Sequence, residues 1–370
     1  MNRPGYGDGP VSAIVDTSEE AAALELPPLL VRRPLEAFLD AAGLGEGPLE
    51  AEPVGDGHSN VTYLVHRNGG TWVLRRPPRP PLPPSAHDVL REARLLRAVE
   101  PEDVRAPRVL ATCDDPAVIG APFYVMERIQ GDVLTTAVPS HLAGEQARIG
   151  AELVDALAEL HAVDWRACGL EGYGKPTGYL ERQLRRFGGL WEHNRTRELP
   201  VMERVTEWLA AHRPESAEAT IVHGDYRLGN TMFAPDSPAR LVAIFDWELA
   251  TIGDPLADLG YLVATWAEPG DDEDALFGLG AVTRQSGFPS RAELVARYEE
   301  RTGRSLPAVR WYATLALWKS AVFLEGSYKR RLAGTTEDAF FDRLEAGVPA
   351  IAERAWETAI GGGAGRRRAG

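Results

Sequence analysis

The stretch IVHGDYRLGNTMF, residues 221–233, begins as a buried strand and then carries polar side chains at a fixed spacing. His223, Gly224 and Asp225 follow the strand, and Asn230 comes after four intervening residues. In phosphoryl transfer, a loop of the form H-x-D-x-x-x-x-N uses its Asp to orient the attacking hydroxyl and its Asn to ligate a metal ion. The spacing therefore predicts Asp225 as a catalytic residue and Asn230 as a metal ligand.

A second carboxylate for the metal is present in LVAIFDWELA, residues 241–250. Asp246 closes an apolar strand that is expected to pair with the strand after Asn230 as a small hairpin. Mg²⁺ prefers such oxygen ligands and shares its coordination with substrate phosphates. An isolated HGD is also typical of a capped turn, but its combination with Asn230 and Asp246 favours a kinase-type site. His223 is expected to pack under the loop and bond its backbone.

The composition of the whole chain is typical of an ordinary globular protein. It has 370 residues, of which 44% are hydrophobic and 25% charged, and this length suggests two lobes. The sequence lacks an apolar run of roughly 20 residues and a signal-peptide pattern, so we expect a cytoplasmic protein without membrane attachment. A net charge of −14 argues against nucleic-acid binding.

The pattern along the chain predicts four segments. Residues 1–28 are expected to be disordered, 29–130 to form a nucleotide-binding lobe, 131–360 a helical catalytic and substrate lobe, and 361–370 a flexible tail. Short alternating stretches in the first lobe predict five antiparallel strands, with one inserted helix capped by Ser85. This layout is an α+β class with the two lobes of a protein-kinase-like fold.

The second lobe is predicted to be mainly helical. The predicted helices cover residues 143–162, 178–193, 199–212, 273–286, 291–302, 306–331 and 336–358.

Four residues around a Gly-containing turn in VGDGHSNVTY are candidates for nucleotide phosphate binding: Gly55, Gly57, Ser59 and Asn60. Glycines let backbone N–H groups approach a phosphate closely. Taken alone, the same pattern also fits a plain hairpin turn.

Kinases place a Lys on the third strand, where it binds the phosphates and pairs with a Glu. The third strand here, TWVLRRP, contains no Lys. Arg75 is the best substitute, with Glu92 as its partner, because Arg binds phosphate in a bidentate manner. Arg76 is the competing choice, since strand alternation turns only one of the two into a cleft. A surface Arg and a solvated Glu remain the alternative.

The adenine is expected to contact the segment FYVMERIQG. Met126, Glu127 and Ile129 are predicted to lie in a connection after the last strand, with backbone groups of Glu127 and Ile129 bonding the base. Phe123 and Val125 are predicted as core residues of that strand.

The sequences VHGDYRLGN, IFDWE, GDPLADLG and LAELHAVD together resemble the aminoglycoside phosphotransferase and choline-kinase-like family, over roughly residues 50–330. The resemblance implies ATP and Mg²⁺ as cofactors, Asp225 as the catalytic residue, and Asn230 and Asp246 as metal ligands. It further implies that Asp254 and Asp258 brace the catalytic loop.

Longer phrases, including SAHDVLREARLL and VIGAPFYVMERIQG, most resemble the phosphotransferase domains that are fused to acyl-CoA dehydrogenases. The resemblance therefore implies a separate acyl-CoA dehydrogenase in the same pathway as a partner.

The predicted function is an ATP- and Mg²⁺-dependent kinase that phosphorylates a hydroxyl group of a small molecule, with a hydroxyacyl thioester as one candidate. Lys319, Lys329 and Arg330 would suit such an anionic acceptor, whereas the acidic residues 268–274 would suit an aminoglycoside. The other alternative is a non-catalytic nucleotide-binding regulatory protein, which the missing Lys favours slightly. The acceptor, the choice between ATP and GTP, and the oligomeric state are left open by the sequence.

Overall fold

A computed structural model describes residues 14–55, 60–80, 82, 87–271, 278–334 and 339–361. The chain divides into two compact units, Met1–Ile129 and Gln130–Gly370. The elements of the first unit are β1 (Ile14–Val15), α1 (Ser18–Ala22), β2 (Leu30–Val31), α2 (Arg32–Ala41), β3 (Glu46–Val54), β4 (Val61–Asn68), β5 (Gly70–Arg76), α3 (Val89–Val99), β6 (Val109–Cys113), α4 (Pro116–Ile119) and β7 (Phe123–Glu127).

A five-stranded antiparallel sheet, with the order β3-β4-β5-β7-β6 in the described part of the chain, organises the first unit. Alternation along β4 buries Val61, Tyr63 and Val65 on one face, as the period of two in a strand requires. These side chains join a core that includes Leu35 and Leu39 of α2. The predicted five-stranded sheet is therefore confirmed.

Helix α3 lies in the chain between β5 and β6 and buries one face. Its buried residues include Val89, Ala93, Leu96 and Val99, whose helical spacing places them on one face. Its start differs from the prediction, because Asp88 caps the helix by accepting a hydrogen bond of 3.0 Å from the N–H of Arg91. Ser85, the predicted cap, lies outside the described residues.

The start of the chain also differs from its prediction as a disordered segment. Within residues 14–28, β1 pairs in parallel with β2, and α1 begins with a capping box between Thr17 and Glu20. A weakly periodic stretch can still be ordered by pairing with a distant strand, which composition does not reveal. Residues 1–13 lie outside the described part.

The second unit is mainly helical. Its elements are α5 (Gln146–Ala162), α6 (Tyr179–Asn194), α7 (Pro200–Ala211), β8 (Thr220–Val222), β9 (Thr231–Phe233), β10 (Leu241–Ile244), β11 (Thr251–Gly253), α8 (Leu256–Thr265), α9 (Arg291–Thr302), α10 (Val309–Leu332) and α11 (Leu344–Ile360). Strand β9 pairs with β10, and β8 pairs with β11, both antiparallel.

Two predicted helices of this unit need correction. The described part of 273–286 contains only a short 3₁₀ helix, Ala281–Arg284. The last α-helix begins at Leu344 instead of residue 336 and follows the 3₁₀ helix Ala339–Arg343. Residues 272–277 and 335–338 lie outside the described chain.

Helix α10 is the central helix of the second unit and packs against α6, α8 and α11. Trp311, Leu315, Trp318 and Val322 are all buried, as expected for a helical core stripe. Its approach to α8 depends on Gly260, where an added Cβ would lie 2.5 Å from the backbone of Tyr312. Among the described residues, the structure contains no helix with the length and apolar character that a membrane span needs.

Candidate active site

The loop between β8 and β9 carries the H-x-D-x-x-x-x-N residues. It leaves β8 through Gly224, whose φ of +89° is in the left-handed region. An added Cβ there would also lie 2.9 Å from the backbone oxygen of Leu249. Both the conformation and the space at this position therefore require glycine.

Asp258, in the first turn of α8, fixes the start of this loop. Its two carboxylate oxygens accept hydrogen bonds from the backbone N–H groups of His223 (2.6 Å) and Gly224 (2.8 Å). The ring of His161 lies 3.2 Å from the same carboxylate. Burial alone would raise the pKa of Asp258, but the hydrogen bond and charge of His161 and the N–H of Gly224 lower it. Asp258 therefore braces the start of the catalytic loop, as the family resemblance implied.

Asp254 has a different role from the one implied. It accepts hydrogen bonds from the N–H groups of Ala217 and Leu256, each at 3.0 Å, and from the Tyr312 hydroxyl at 2.8 Å. Burial raises the pKa of its carboxyl despite these bonds. Asp254 therefore ties the segment before β8 to the start of α8, and these three hydrogen bonds do not involve the catalytic loop.

His223 is fully buried and connects the two halves of the site. Its Nδ1 accepts the N–H of Asp225 at 3.2 Å, and its Nε2 donates to the carbonyl of Phe245 at 2.8 Å. These two bonds define the tautomer with the proton on Nε2. The expectation of an internal, backbone-bonding histidine agrees with this geometry.

Asn230 contacts Asp225 directly. Its Nδ2 donates to the Asp225 carboxylate at 2.6 Å and to the Asp225 carbonyl at 2.9 Å. The Asn230 carbonyl accepts the N–H of Phe245 at 2.8 Å, which extends the β9–β10 ladder by one residue beyond the pair Thr231 and Ile244. Asp246 is the next residue, so the hairpin brings the three predicted residues to one end.

Asp246 lies where β10 ends and a 3₁₀ helix, Trp247–Leu249, begins. Its φ of +66° is unusual for a residue with a side chain, and Asp is among the few that tolerate it. The following Trp247 packs on the ring of His223, with ring centroids 4.8 Å apart. This turn directs the chain away from the hairpin immediately after the carboxylate.

Two residues near Asp225 were not identified from the sequence. Arg227 places its Nε 3.7 Å from Asp225 Oδ1, and an added Cβ on Gly229 would clash with its guanidinium. Tyr261 of α8 has a pKa well above its usual value because of burial, the charge of Asp225, a hydrogen bond with Asp225, and the charge of Asp246. The position of Arg227, two residues after Asp225, could have identified it from the sequence. Nothing in the sequence around Tyr261 distinguishes that residue.

The side-chain oxygens of Asn230 and Asp246 suit Mg²⁺, which takes part of its coordination from water and phosphate, better than a metal ion that needs only protein ligands. The described residues contain no group of three or more His, Cys, Asp or Glu side chains placed to hold a metal. Mg²⁺ commonly uses one or two carboxylates together with water and substrate phosphates. The carboxylate of Asp246 and the side-chain oxygen of Asn230 fit that requirement.

In the first unit, the choice between two neighbouring arginines is clear. Arg75 Nε donates to Glu92 Oε2 at 3.0 Å, and both side chains are largely buried. Arg76 points to the other face, where it donates to the carbonyls of Leu29 and Ile119. Burial lowers the pKa of Arg76 to about 10. Arg75 is therefore the strand residue that pairs with Glu92.

The predicted phosphate-binding turn is described only at its ends. Gly55 has a φ of +86°, which suits a glycine turn. Asn60 is buried, and its Oδ1 lies 3.0 Å from Nδ1 of His87. Gly57 and Ser59 lie outside the described residues.

The predicted adenine-contacting residues need a partial correction. Met126 and Glu127 belong to β7, where they pair with Val73 and Trp72 of β5. The N–H of Glu127 donates to the carbonyl of Arg108 at 3.0 Å and is not available to a base. Sequence patterns placed the end of the strand too early, and of the three predicted residues only Ile129 follows it.

Comparison with known proteins shows the family. The phosphotransferase enzyme family (APH) matches residues 50–312, which is most of the chain. The chain belongs to this phosphotransferase enzyme family. A curated relative, acyl-CoA dehydrogenase family member 10 from Mus musculus, is 33% identical over 316 residues, covering 85% of this chain and 29% of the relative. The chain thus spans under a third of that relative, and its resemblance to phosphotransferase domains of such proteins is confirmed.

Solved structures agree with the predicted fold class. A Ralstonia eutropha protein with the provisional description of an aminoglycoside phosphotransferase is 34% identical, with a TM-score of 0.75 and coverage of 89% of this chain and 98% of that one. A mutant of the aminoglycoside phosphotransferase APH(4)-Ia, in complex with AMP-PNP and hygromycin B, has a TM-score of 0.58 at 15% identity. That similarity covers 90% and 99% of the two chains and shows the fold alone. The α+β, protein-kinase-like fold and the phosphotransferase family are therefore confirmed.

Proposed function

We propose that this chain is an ATP- and Mg²⁺-dependent kinase that transfers phosphate to a hydroxyl group of a small organic molecule. The observation that carries the proposal is the bond between Asn230 and Asp225, at the end of the hairpin that leads to Asp246. A candidate base and two candidate metal ligands lie together, and each belongs to the residue type that phosphoryl transfer needs.

In this proposal Asp225 accepts a hydrogen bond from the acceptor hydroxyl and takes its proton late in the reaction. The bonds from Asn230 and from the N–H of Asp225 to His223 hold the residue in place, so little reorganisation is needed. Arg227, 3.7 Å from Asp225, supplies positive charge for the transferred phosphoryl oxygens. Tyr261 also hydrogen-bonds with the Asp225 carboxylate and limits its movement.

Asp246 and Asn230 would hold Mg²⁺, which when bound neutralises charge on the nucleotide phosphates. Arg75, aligned by Glu92, binds phosphate oxygens in place of the usual Lys. Gly55, Gly57, Ser59 and Asn60 contribute at the turn between β3 and β4, and Ile129 contributes to base binding. The AMP-PNP complex of the similarly folded phosphotransferase supports ATP as the nucleotide.

A hydroxyacyl thioester is the proposed acceptor, and a separate acyl-CoA dehydrogenase is the proposed pathway partner. Similarity to an acyl-CoA dehydrogenase family member supports both. The competing aminoglycoside acceptor would need free negative charge at residues 268–274. Arg291 already pairs with Glu268, at 3.0 Å, and with Asp271. These two carboxylates are thereby less suited to a polycation.

The test is phosphate transfer from labelled ATP or GTP, with Mg²⁺, to a panel of hydroxyacyl thioesters, simple alcohols and an aminoglycoside. We expect ATP-dependent phosphorylation of a hydroxyacyl thioester by wild type and not by Asp225→Asn. Transfer only to the aminoglycoside would replace the proposed acceptor. ATP binding without transfer to any acceptor would instead indicate a regulatory protein.

A further inference from the structure

Lys319 of α10 lies beside an aromatic ring on the neighbouring helix α6. Its Nζ is 4.7 Å from the centroid of the Phe187 ring, within the range of a cation–π contact. The guanidinium of Arg186 is 5.9 Å from the same ring. Two cations therefore converge on one aromatic side chain in the unit that contains Asp225.

The ammonium of Lys319 lacks a counter-ion in the described part of the chain. No described carboxylate oxygen forms an ion pair with it within 4.0 Å, in contrast to the nearby Glu325 and Arg197, which pair at 3.0 Å. Lys329, on the same helix, is also different because its Nζ donates to the carbonyl of His193. A half-buried cation without an ion-pair partner is typical of a binding site for an anion.

Burial lowers the pKa of Lys319 to about 8. The charge of Asp258 raises that pKa, Arg186 lowers it, and Asp225 raises it. Helix α10, which carries Lys319, packs against α8, the helix that contributes Asp258 and Tyr261 to the candidate active site. A bound anion would compensate for the lost hydration of Lys319 and the repulsion from Arg186.

Apolar surface adjoins this cation. Phe187 contacts Phe323 edge to face, with ring centroids 5.0 Å apart, and Phe323 is 44% exposed.

We propose that Lys319, Arg186, Phe187 and Phe323 form an acceptor subsite that binds the anionic group of a partly apolar hydroxylated molecule, with its hydroxyl group near Asp225. This inference rests on the proposed kinase function and specifies the acceptor class. The anionic group is either the carboxylate of a free hydroxy acid or a phosphate of a thioester carrier, since an ammonium and a guanidinium bind both.

The experiment measures acceptor binding by calorimetry without nucleotide. The probes are hydroxyhexanoate, its coenzyme A thioester, its methyl ester and an amino alcohol of the same chain length. We expect Lys319→Met to weaken binding of an anionic probe roughly tenfold or more, the usual effect of losing one bond to a charged group. Lys319→Arg should retain most of the affinity, and Lys175→Met, which removes an exposed lysine outside the proposed subsite, is the control that should retain all of it.

The pattern across probes identifies the source of the negative charge. If Lys319→Met weakens binding of the free acid, Lys319 binds the carboxylate. If it weakens binding of the thioester alone, Lys319 binds a phosphate of the carrier. Three results would overturn the subsite. Wild type and Lys319→Met could bind both anionic probes with equal affinity, wild type could bind neither anionic probe, or wild type could prefer the amino alcohol. Failure of the kinase function is separate, because it would appear as anion binding through Lys319 without phosphate transfer.

Discussion

Asn230 donates a hydrogen bond of 2.6 Å from its side-chain amide to the carboxylate of Asp225. This bond fixes the orientation of both groups, because Nδ2 faces Asp225 and the opposite amide oxygen remains the side-chain atom suited to a cation. One short loop therefore aligns a candidate base and a candidate metal ligand.

Asp225→Asn should leave ATP binding nearly unchanged and reduce phosphate transfer by a factor on the order of a hundred or more. Asn has nearly the same size but cannot take the proton of the acceptor hydroxyl. Calorimetric titration of ATP with Mg²⁺ and an assay of phosphate transfer separate binding from chemistry. Wild-type turnover by this variant would show that Asp225 is a structural residue.

Asp246→Asn should raise the Mg²⁺ concentration needed for activity, because the metal loses a charged ligand. Asn is preferable to Ala here, since it also tolerates the φ of +66° at this position. Asp246→Ala should abolish Mg²⁺-dependent turnover. Asp236→Asn, at an exposed Asp beside Arg240, is the control. An unchanged Mg²⁺ requirement in Asp246→Asn would remove Asp246 from the metal site.

Arg75→Ala and Glu92→Ala should each raise the KM for ATP, and the double variant should lose less than the sum of the two effects. The reason is their 3.0 Å bond, through which Glu92 aligns Arg75. The KM for ATP of wild type, the two single variants and the double variant gives the coupling energy between Arg75 and Glu92. Arg108→Ala, which removes an exposed arginine bonded to Glu127 at 3.0 Å, should not change the KM. Strictly additive effects of the Arg75 and Glu92 changes would reject the pair.

Asp258→Asn should reduce both stability and activity, because its carboxylate accepts two loop N–H groups. We expect a loss of roughly 3 kcal/mol or more, as when a buried charged partner is removed. The lowered pKa of Asp258 has a defined sign: its stabilisation is complete above the unfolded-state pKa and is lost as the pH falls through the lower folded-state value. Denaturant unfolding across acidic pH should show the gap between wild type and variant narrowing as the pH falls.

The KM for an anionic acceptor should rise as the pH increases through about 8, where Lys319 loses its charge. The charged groups acting on it are Asp258, Arg186 and Asp225. The methyl ester of the same acceptor should not show this dependence. Lys319→Met should abolish it, and should also raise the midpoint of thermal unfolding at neutral pH because a desolvated cation is removed. A strongly destabilised Lys319→Met protein would point to a structural lysine.

The sequence by itself determined the residues that local order places together. The spacing of His223, Asp225 and Asn230, and the strand that ends at Asp246, depend on neighbours along the chain and on one short hairpin. The face of α3 that contains Ala93 and the buried stripe of α10 follow from helical periodicity, which acts over a few residues. These features, together with the family resemblance, were sufficient for the fold class.

Tertiary structure decided which of several equivalent residues contributes to each site. Alternation allowed either Arg75 or Arg76, and only the position of α3 selected Arg75, because Glu92 lies on its side of the sheet. The N–H of Glu127 donates to the carbonyl of Arg108, just before β6, and Asp254 accepts the N–H of Ala217, so these bonds link distant parts of the chain. Tyr261 and Lys319 acquire their shifted pKa values from burial and from nearby charges, chiefly that of Asp225 on Tyr261 and that of Asp258 on Lys319. Burial and charge depend on long-range packing, which no local pattern of residues encodes.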